Sequence, residues 1–154
     1  ASRAKRHTGV CRSAQTLGRT DHRQMTVVVR FSTKMFDVSR ERPNPINPIA
    51  GESLLIWLKD SLSPTYPVTE PDPEDWGWYS HIEWAGTNYM LGSSASEPED
   101  GEREWLLQIV RSKSLKERLL GRGNATTADP CVMHIVRLLS AEQGFHSVQV
   151  ESAA

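Results

Sequence analysis

The chain has 154 residues, of which 38% are hydrophobic and 24% charged, a composition typical of one globular domain. Its apolar runs are too short to span a bilayer, and its two cysteines provide neither a disulfide framework nor a zinc-ligand spacing. We therefore expect a cytoplasmic protein that uses no metal or other cofactor and does not enter a membrane.

The first 24 residues differ in charge from the rest of the chain. They carry six basic residues and one acidic residue, whereas the remainder carries 12 basic and 18 acidic residues. Since they also lack apolar periodicity, we predict a disordered basic segment over 1–24 and an α+β domain over 25–152. Met25 directly precedes the first predicted strand, which favours translated upstream sequence for 1–24. The alternatives are a targeting peptide and a nucleic-acid arm, and nucleic-acid binding is expected only if 1–24 is native.

The first predicted elements after Met25 are a strand and a helix. Residues 26–32 alternate so that every second side chain, starting at Val27, faces a core. A proline-rich loop follows, after which Asn47 and Pro48 form a typical helix start. Four leucines at helical spacing extend this helix to position 62. They are Leu54, Leu55, Leu58 and Leu62.

An acidic, proline-rich lead over 66–75 (YPVTEPDPED) is predicted to be an extended loop, and the next nine residues (WGWYSHIEW) a strand. Its period of two separates an apolar side from a polar side. The apolar side holds Trp78, Ser80, Ile82 and Trp84, and the polar side holds Tyr79, His81 and Glu83. A turn over 85–88 should return the chain along 89–93 as a hairpin partner. Gly77, between two tryptophans, indicates a bulge or a close backbone approach.

The remaining elements complete an α+β pattern. Residues 104–111 are apolar on both faces, which is typical of a central strand covered on both sides. A capping box predicts a short helix over 114–121, and Asp129 with Pro130 opens a longer helix that should end near a left-handed Gly144. Residues 145–151 form a closing strand. The order β-α-β-β-β-α-α-β predicts a single α+β domain, with a mostly antiparallel sheet of about five strands and helices packed on one face.

Most common catalytic patterns are absent from the sequence. It contains no phosphate-binding loop, no Gly-x-Ser-x-Gly elbow and no pair of histidines at metal-ligand spacing. Cys131 falls in the first turn of a predicted helix, but no partner base is identifiable. The carboxylates of Asp72, Glu74 and Asp75 could bind a hard cation or divide acid and base roles, yet the calcium-loop pattern is missing. A solvated acidic loop is the plainer interpretation.

One feature of the sequence does suggest a function: acidic residues are concentrated around aromatic ones. Residues 70–104 hold ten acidic residues and a single basic one, Arg103. If the polar side of the strand over 76–84 is exposed, these acids surround an aromatic surface that would attract a basic partner. The opposing interpretation is that the tryptophans are core and the acids only solvate loops.

Two functional hypotheses follow from this concentration. The first is a non-enzymatic protein-interaction module, of the immunity or adaptor type, that binds a basic protein. The alternative is a small-molecule binder or enzyme with a pocket over the sheet, using His81, Glu83 and Tyr89. The candidate binding residues are Asp72, Glu74, Asp75, Tyr79, His81, Glu83 and Tyr89. No catalytic residue is assigned, and the sequence predicts no oligomeric state.

The acidic lead into Asp-Trp-Gly-Trp (Asp75–Trp78) also resembles a motif in a group of small bacterial proteins. The similarity extends loosely over 25–152. The group has no established activity, so the resemblance implies a bacterial cytoplasmic protein and assigns no site residues.

Overall fold

The computed structural model describes residues 26–113, 119 and 125–153, which form one α+β domain with a six-stranded antiparallel sheet and two α-helices. The strands are β1 (Thr26–Thr33), β2 (Asp72–Glu74), β3 (Gly77–Trp84), β4 (Thr87–Ala95), β5 (Arg103–Arg111) and β6 (His146–Ala153). The helices are α1 (Glu52–Leu62) and α2 (Pro130–Ala141), and a single 3-10 turn spans Val38–Arg40. The strand order is β2-β3-β4-β5-β1-β6. The predicted class and the antiparallel sheet are confirmed.

Tight turns set the register of the central meander. Ala85 and Gly86, between β3 and β4, both have positive φ angles, of 47° and 79°. A two-residue hairpin of type I′ requires this combination, because its twist matches that of the flanking strands. The resulting register pairs Ile82 with Tyr89 and Tyr79 with Gly92. Each strand residue is thereby assigned to one of two faces of the sheet.

Both helices pack on one face of the sheet, called here the inner face. Val27, Val29 and Phe31 point into this face and are at most 1% exposed, as predicted from their alternation. The four leucines of α1 are buried in the same cluster, together with the apolar side of α2. The opposite face is called here the outer face. Neither helix packs on it, because the buried side chains of α1 and α2 belong to the inner-face cluster.

The first helix begins four residues later than its sequence start signal predicts. Its N-cap is Gly51 rather than Asn47. The carboxylate of Glu41 accepts hydrogen bonds from the backbone N–H groups of Gly51 and Ser53, at 2.9 and 2.8 Å. A distant side chain therefore satisfies the free N–H groups of the first turn, and sequence patterns within the helix do not reveal it.

The second helix starts as predicted, but Gly144 has a different role from the predicted one. Asp129 caps α2, accepting from the backbone N–H groups of Cys131 and Val132. Gly144 does not have a positive φ angle. A side chain there would collide with Met35, whose Sδ lies 2.0 Å from the position of an added Cβ. Close packing, and not left-handed backbone, explains this glycine.

Two predicted segments lie outside the described residues. They are the basic segment over 1–24 and, apart from Leu119, the short helix over 114–121. Within the described ranges, neither helix is long and apolar enough to cross a membrane.

Candidate functional site

The outer face of the sheet holds the polar side of β3. Tyr79 is half-buried there, while His81 and Glu83 are exposed. On the inner side of the same strand, Trp78 is 1% exposed and Ile82 is fully buried. The two-sided division predicted for this strand is therefore observed, with the tryptophan in the core and the tyrosine outside. The rings of Tyr79 and His81 meet edge to face at 5.7 Å.

The acidic lead is not wholly a loop, which corrects the prediction for 66–75. Asp72, Pro73 and Glu74 form the edge strand β2, which pairs with the start of β3. Asp72 lies opposite Tyr79 and Glu74 lies opposite Gly77, so both carboxylates belong to the outer face. Pro71 before the strand and Pro73 within it suggest a loop from sequence, but an edge strand tolerates proline because the outward-facing position needs no N–H group.

Trp76 is a member of the outer face that sequence reasoning missed. It lies across the sheet above Gly92 of β4, where an added Cβ would meet the indole Cη2 at 2.7 Å and Cζ3 at 2.9 Å. Gly92 is opposite Tyr79, so the indole covers the strand position that pairs with Tyr79. The available signal was a glycine in the strand that follows the aromatic one, since such a glycine often marks a close approach.

Replacing Gly92 with Ala should move Trp76 away from the sheet without unfolding the domain. The new methyl group clashes only with the end of the Trp76 side chain, and Gln108 Cβ at 3.6 Å is an ordinary contact. We therefore expect a loss of stability of about 1 kcal/mol, the lower end of the range for an added methyl group. Acrylamide should quench tryptophan fluorescence more strongly in Gly92→Ala than in the wild type. Unchanged quenching would show that the indole does not cover Gly92.

An apolar strip continues the aromatic pair across the middle of the outer face. Within it Val28 is 7% exposed, and the other members are half-buried. The strip consists of Val28, Met90, Leu106 and Val110. The prediction that β5 is covered on both faces is thus only partly met, because no described helix packs on this side. Beside the strip, Arg30 bridges Glu104 and Glu151 at 3.5 and 3.0 Å.

The acidic lead is held in place by the loop that precedes α1. Arg42 donates to the carbonyl of Pro71 at 2.6 Å. Asn44 donates to two carbonyls, those of Glu74 and Gly77, each at 2.9 Å. Asn47, which was predicted to cap a helix, instead donates to the carbonyl of Asp75 at 2.7 Å. The backbone of the lead is therefore fixed, and its carboxylates remain available on the surface.

The same loop carries an ion pair whose carboxylate is buried and whose guanidinium is exposed. The Glu52 side chain is only 5% exposed and accepts from the Nε of Arg42 at 2.6 Å. Its second oxygen accepts from the backbone N–H of Arg42 at 2.7 Å. The guanidinium also lies 5.2 Å from the Trp78 ring centre, in the range of a cation–π contact. Arg42 thus links the first turn of α1, the core tryptophan and the acidic lead.

Tyr89 lies on the inner face, on the opposite side of the sheet from His81 and Glu83. These three side chains therefore do not line one pocket. The Tyr89 hydroxyl donates to the carboxylate of Asp129, with contacts of 2.8 and 3.0 Å. Because that carboxylate also caps α2, Tyr89 supports the helix start. Tyr89 therefore stabilises the fold and does not belong to the outer face. No pattern in the sequence indicates that Asp129 is its partner.

Burial raises the pKa of two groups at the start of α2. The pKa of the Cys131 thiol rises from 9.0 to about 12, mainly by burial and secondarily by the charge of Asp129. Burial, and then the hydrogen bond with Asp129, also raise the pKa of Tyr89. A thiolate nucleophile at Cys131 is disfavoured in this environment.

These raised pKa values predict a loss of stability in alkali. The unfolded thiol loses its proton near its ordinary pKa of 9.0, whereas the folded thiol keeps it up to about 12. The contribution of the buried thiol to the free energy of unfolding is therefore fully present below pH 9. It falls as pH rises towards 12, by on the order of 1 kcal/mol per pH unit. Urea unfolding across this range should show a shallower fall for Cys131→Ala and Tyr89→Phe. Equal slopes in all three proteins would refute this explanation.

The charges of the outer face are mostly negative and unpaired. In the described ranges, Asp72, Glu74, Asp75 and Glu83 make no side-chain ion pair, in contrast to Glu104. Four further acids occupy the β4–β5 hairpin loop, and Arg103 beside them donates to the carbonyl of Ser96 at 2.9 Å. These acids are Glu97, Glu99, Asp100 and Glu102. A field of one sign therefore extends from the hairpin loop to the edge at β2.

The geometry of the carboxylates does not suggest ion binding. Among the described residues, no three or more His, Cys, Asp or Glu side chains are arranged to hold a metal ion. His134 packs against aromatic rings, 5.2 Å from Trp84 and 5.6 Å from Tyr66 between ring centres. It is a half-buried packing residue at the far end of β3.

Comparisons with protein-family models, with curated proteins and with solved structures returned no match. The function is therefore inferred from the chain's own residues.

Proposed function

We propose that this domain is a non-enzymatic protein-interaction module that binds a basic protein through its outer face. The observation that carries the proposal is a sheet face that neither described helix covers, on which Trp76, Tyr79 and an apolar strip are bordered by carboxylates without ion pairs in the described ranges. Aromatic anchors surrounded by charge are the usual centre of a protein interface. Both described helices pack on the other face, and the outer apolar strip does not belong to the core cluster there.

The size and shape of the outer face favour a protein over a small molecule. The five strands of eight or nine residues, about 4.8 Å apart and about 26 Å long, present roughly 600 Å², close to the roughly 800 Å² that one partner contributes to a standard interface. Small-molecule sites are instead concave and enclose their ligand. The residues of the alternative pocket, His81, Glu83 and Tyr89, lie on two sides of the sheet, which removes the geometric basis for that hypothesis.

The negative charge of the outer face indicates that the proposed partner is basic. Asp72, Glu74, Asp75 and Glu83 lie along one border of the face without side-chain ion pairs in the described ranges. Lysine and arginine side chains of a partner would pair with them, and the field would accelerate the encounter. Because the lead is anchored by Asn44 and Arg42, little ordering entropy is lost on binding. The same field repels nucleic acid.

The proposal is tested with two matched double variants. Tyr79→Ala with Glu83→Ala removes an anchor and a charge from the outer face. Ile56→Ala with Asp60→Ala removes an apolar side chain and a carboxylate from the exposed side of α1, where Ile56 is 41% exposed. Proteins captured by the wild-type domain are identified, purified and titrated against all three forms.

We expect a basic partner whose affinity falls about 100-fold for the outer-face variant, as for loss of an aromatic anchor and a charge. The α1 variant should bind like the wild type, and added salt should weaken binding. A partner that binds both variants equally, or one that is acidic, would contradict the proposal.

A further inference from the structure

The two edges of the sheet are built differently. The β2 edge is three residues long and contains Pro73 between two acids, features that protect natural edge strands from pairing with other chains. The β6 edge is eight residues long and contains neither proline nor lysine. It has a bulge near its start, where Ser147 has a φ angle of 56°, and pairs regularly over residues 149–153. Its one described neighbour is β1. The backbone groups along its other side are therefore available within the described part of the chain.

An apolar groove runs beside the β6 edge. It has a volume of about 420 Å³ and lies between β6 and α2. Its lining consists of Thr127, Met133, Val136, Arg137 and Val150. Two of these residues are exposed although they are apolar, Met133 by 39% and Val150 by 37%. Val150 lies opposite the fully buried Val29, so its exposure arises because α2 does not close over the end of the sheet.

We propose that a second copy of this chain covers the β6 edge, with the two β6 strands pairing antiparallel about a twofold axis. The two sheets then form one sheet of twelve strands. Met133 and Val150 of each copy enter the groove of the other. Antiparallel pairing of identical strands is self-complementary, as closed dimers require. This inference rests on the β6 edge and is independent of the function proposed for the outer face.

The charges along the two sheet edges favour a second copy of this chain as the occupant of the β6 edge. The one acid in β6 is Glu151, and Arg30 already neutralises it through a 3.0 Å contact. Two β6 strands can therefore approach without repulsion between like charges. Pairing of two β2 strands would instead bring Asp72 and Glu74 of both copies together. A strongly basic partner would find its charges at β2 and the outer face, and not at β6.

The available area is sufficient for a reversible dimer. A strand of eight residues is about 26 Å long. With the flank of α2 it offers a strip about 20 Å high, or roughly 500 Å² per copy, so the total is near the lower limit of about 1,000–1,200 Å² for a specific interface. We therefore expect a dimer that dissociates on dilution.

Sedimentation equilibrium of the full chain tests the proposal. Between about 5 and 200 µM the wild type should approach twice its mass of 17.3 kDa by mass action. Met133→Lys and Val150→Lys should each weaken dimerisation by at least about tenfold, because each buries a charge in the groove. Ile56→Lys is the matched control, since Ile56 is a 41% exposed apolar residue elsewhere, and it should leave the dimer unchanged. Circular dichroism verifies that each variant is folded.

Amide exchange distinguishes strand pairing from a contact through α2 alone. In the dimer, the β6 amides that do not bond to β1 should exchange at least about tenfold more slowly at high concentration than at low concentration. A wild type that stays monomeric over this range would overturn the proposal. A dimer that persists in both lysine variants, or one whose β6 amides show no added protection, would overturn it as well.

Discussion

Replacing Gly77 with Ala should be among the most damaging single substitutions in the domain. Gly77 has a φ angle of 147°, and an added Cβ would lie 2.2 Å from the carbonyl oxygen of Ser93. Both the backbone angle and the space require glycine, because a carbonyl in a central strand cannot move aside as a side chain can. We expect a loss of about 4 kcal/mol in the free energy of unfolding, measured by urea denaturation.

Gly101 provides the matched control for this prediction. Its φ angle is also positive, at 77°, but an added Cβ would meet nothing within 4 Å. Gly101→Ala should therefore show only the conformational cost, about 1 kcal/mol. If the two alanine variants lose equal stability, the close approach of Gly77 to Ser93 is not the cause.

Replacing Arg42 with Ala should also lower the free energy of unfolding substantially. It leaves the carboxylate of Glu52, whose side chain is 5% exposed, without its charged partner. It also removes the bond to the carbonyl of Pro71 and the contact with Trp78. Loss of one member of a buried pair costs about 3–5 kcal/mol, and the 59% exposure of Arg42 reduces our expectation to about 2–3 kcal/mol.

Arg40 is the control for Arg42. It is 87% exposed and, among the described residues, its one ion pair is with Asp37, at 3.4 Å, so Arg40→Ala should change stability by under about 0.5 kcal/mol. Thermal and urea unfolding of both variants measure the difference. Equal stability of the two proteins would mean that the Glu52 carboxylate does not need Arg42 as its charged partner.

The parts of the fold that the sequence predicts are those where a local pattern coincides with burial. Alternation placed β1, β3 and β5 and the side on which Tyr79 lies. The leucine spacing placed the buried side of α1. In each case a single strand or helix meets the core through residues at regular intervals, so the period alone carries the information.

The parts that sequence did not predict depend on contacts between distant segments. The cap of α1 comes from Glu41, and the support of the acidic lead comes from Asn44 and Asn47. Strand β2 exists because β3 offers it hydrogen bonds, although its composition favours a loop. No local pattern encodes such partners, because they are brought together only when the sheet forms.

The candidate site also combines positions that a local sequence pattern predicts with positions that depend on distant segments. The positions of Asp72, Glu74, Tyr79, His81 and Glu83 on one face follow from period-two reading and strand pairing. Two members differ from expectation. Trp76 joins the face by lying over Gly92, and Tyr89 lies on the inner side because the hairpin register places it opposite Ile82.

The central claim is that the outer face is where a basic protein binds, and site-specific photo-crosslinking in cells tests it most directly. A photoreactive phenylalanine analogue replaces Tyr79 in one protein and the exposed Ile56 of α1 in another. We predict that the Tyr79 position forms an adduct with a basic protein, that high salt suppresses it, and that the Ile56 position forms none. Absence of an adduct at Tyr79, or the same adduct at both positions, would contradict the claim.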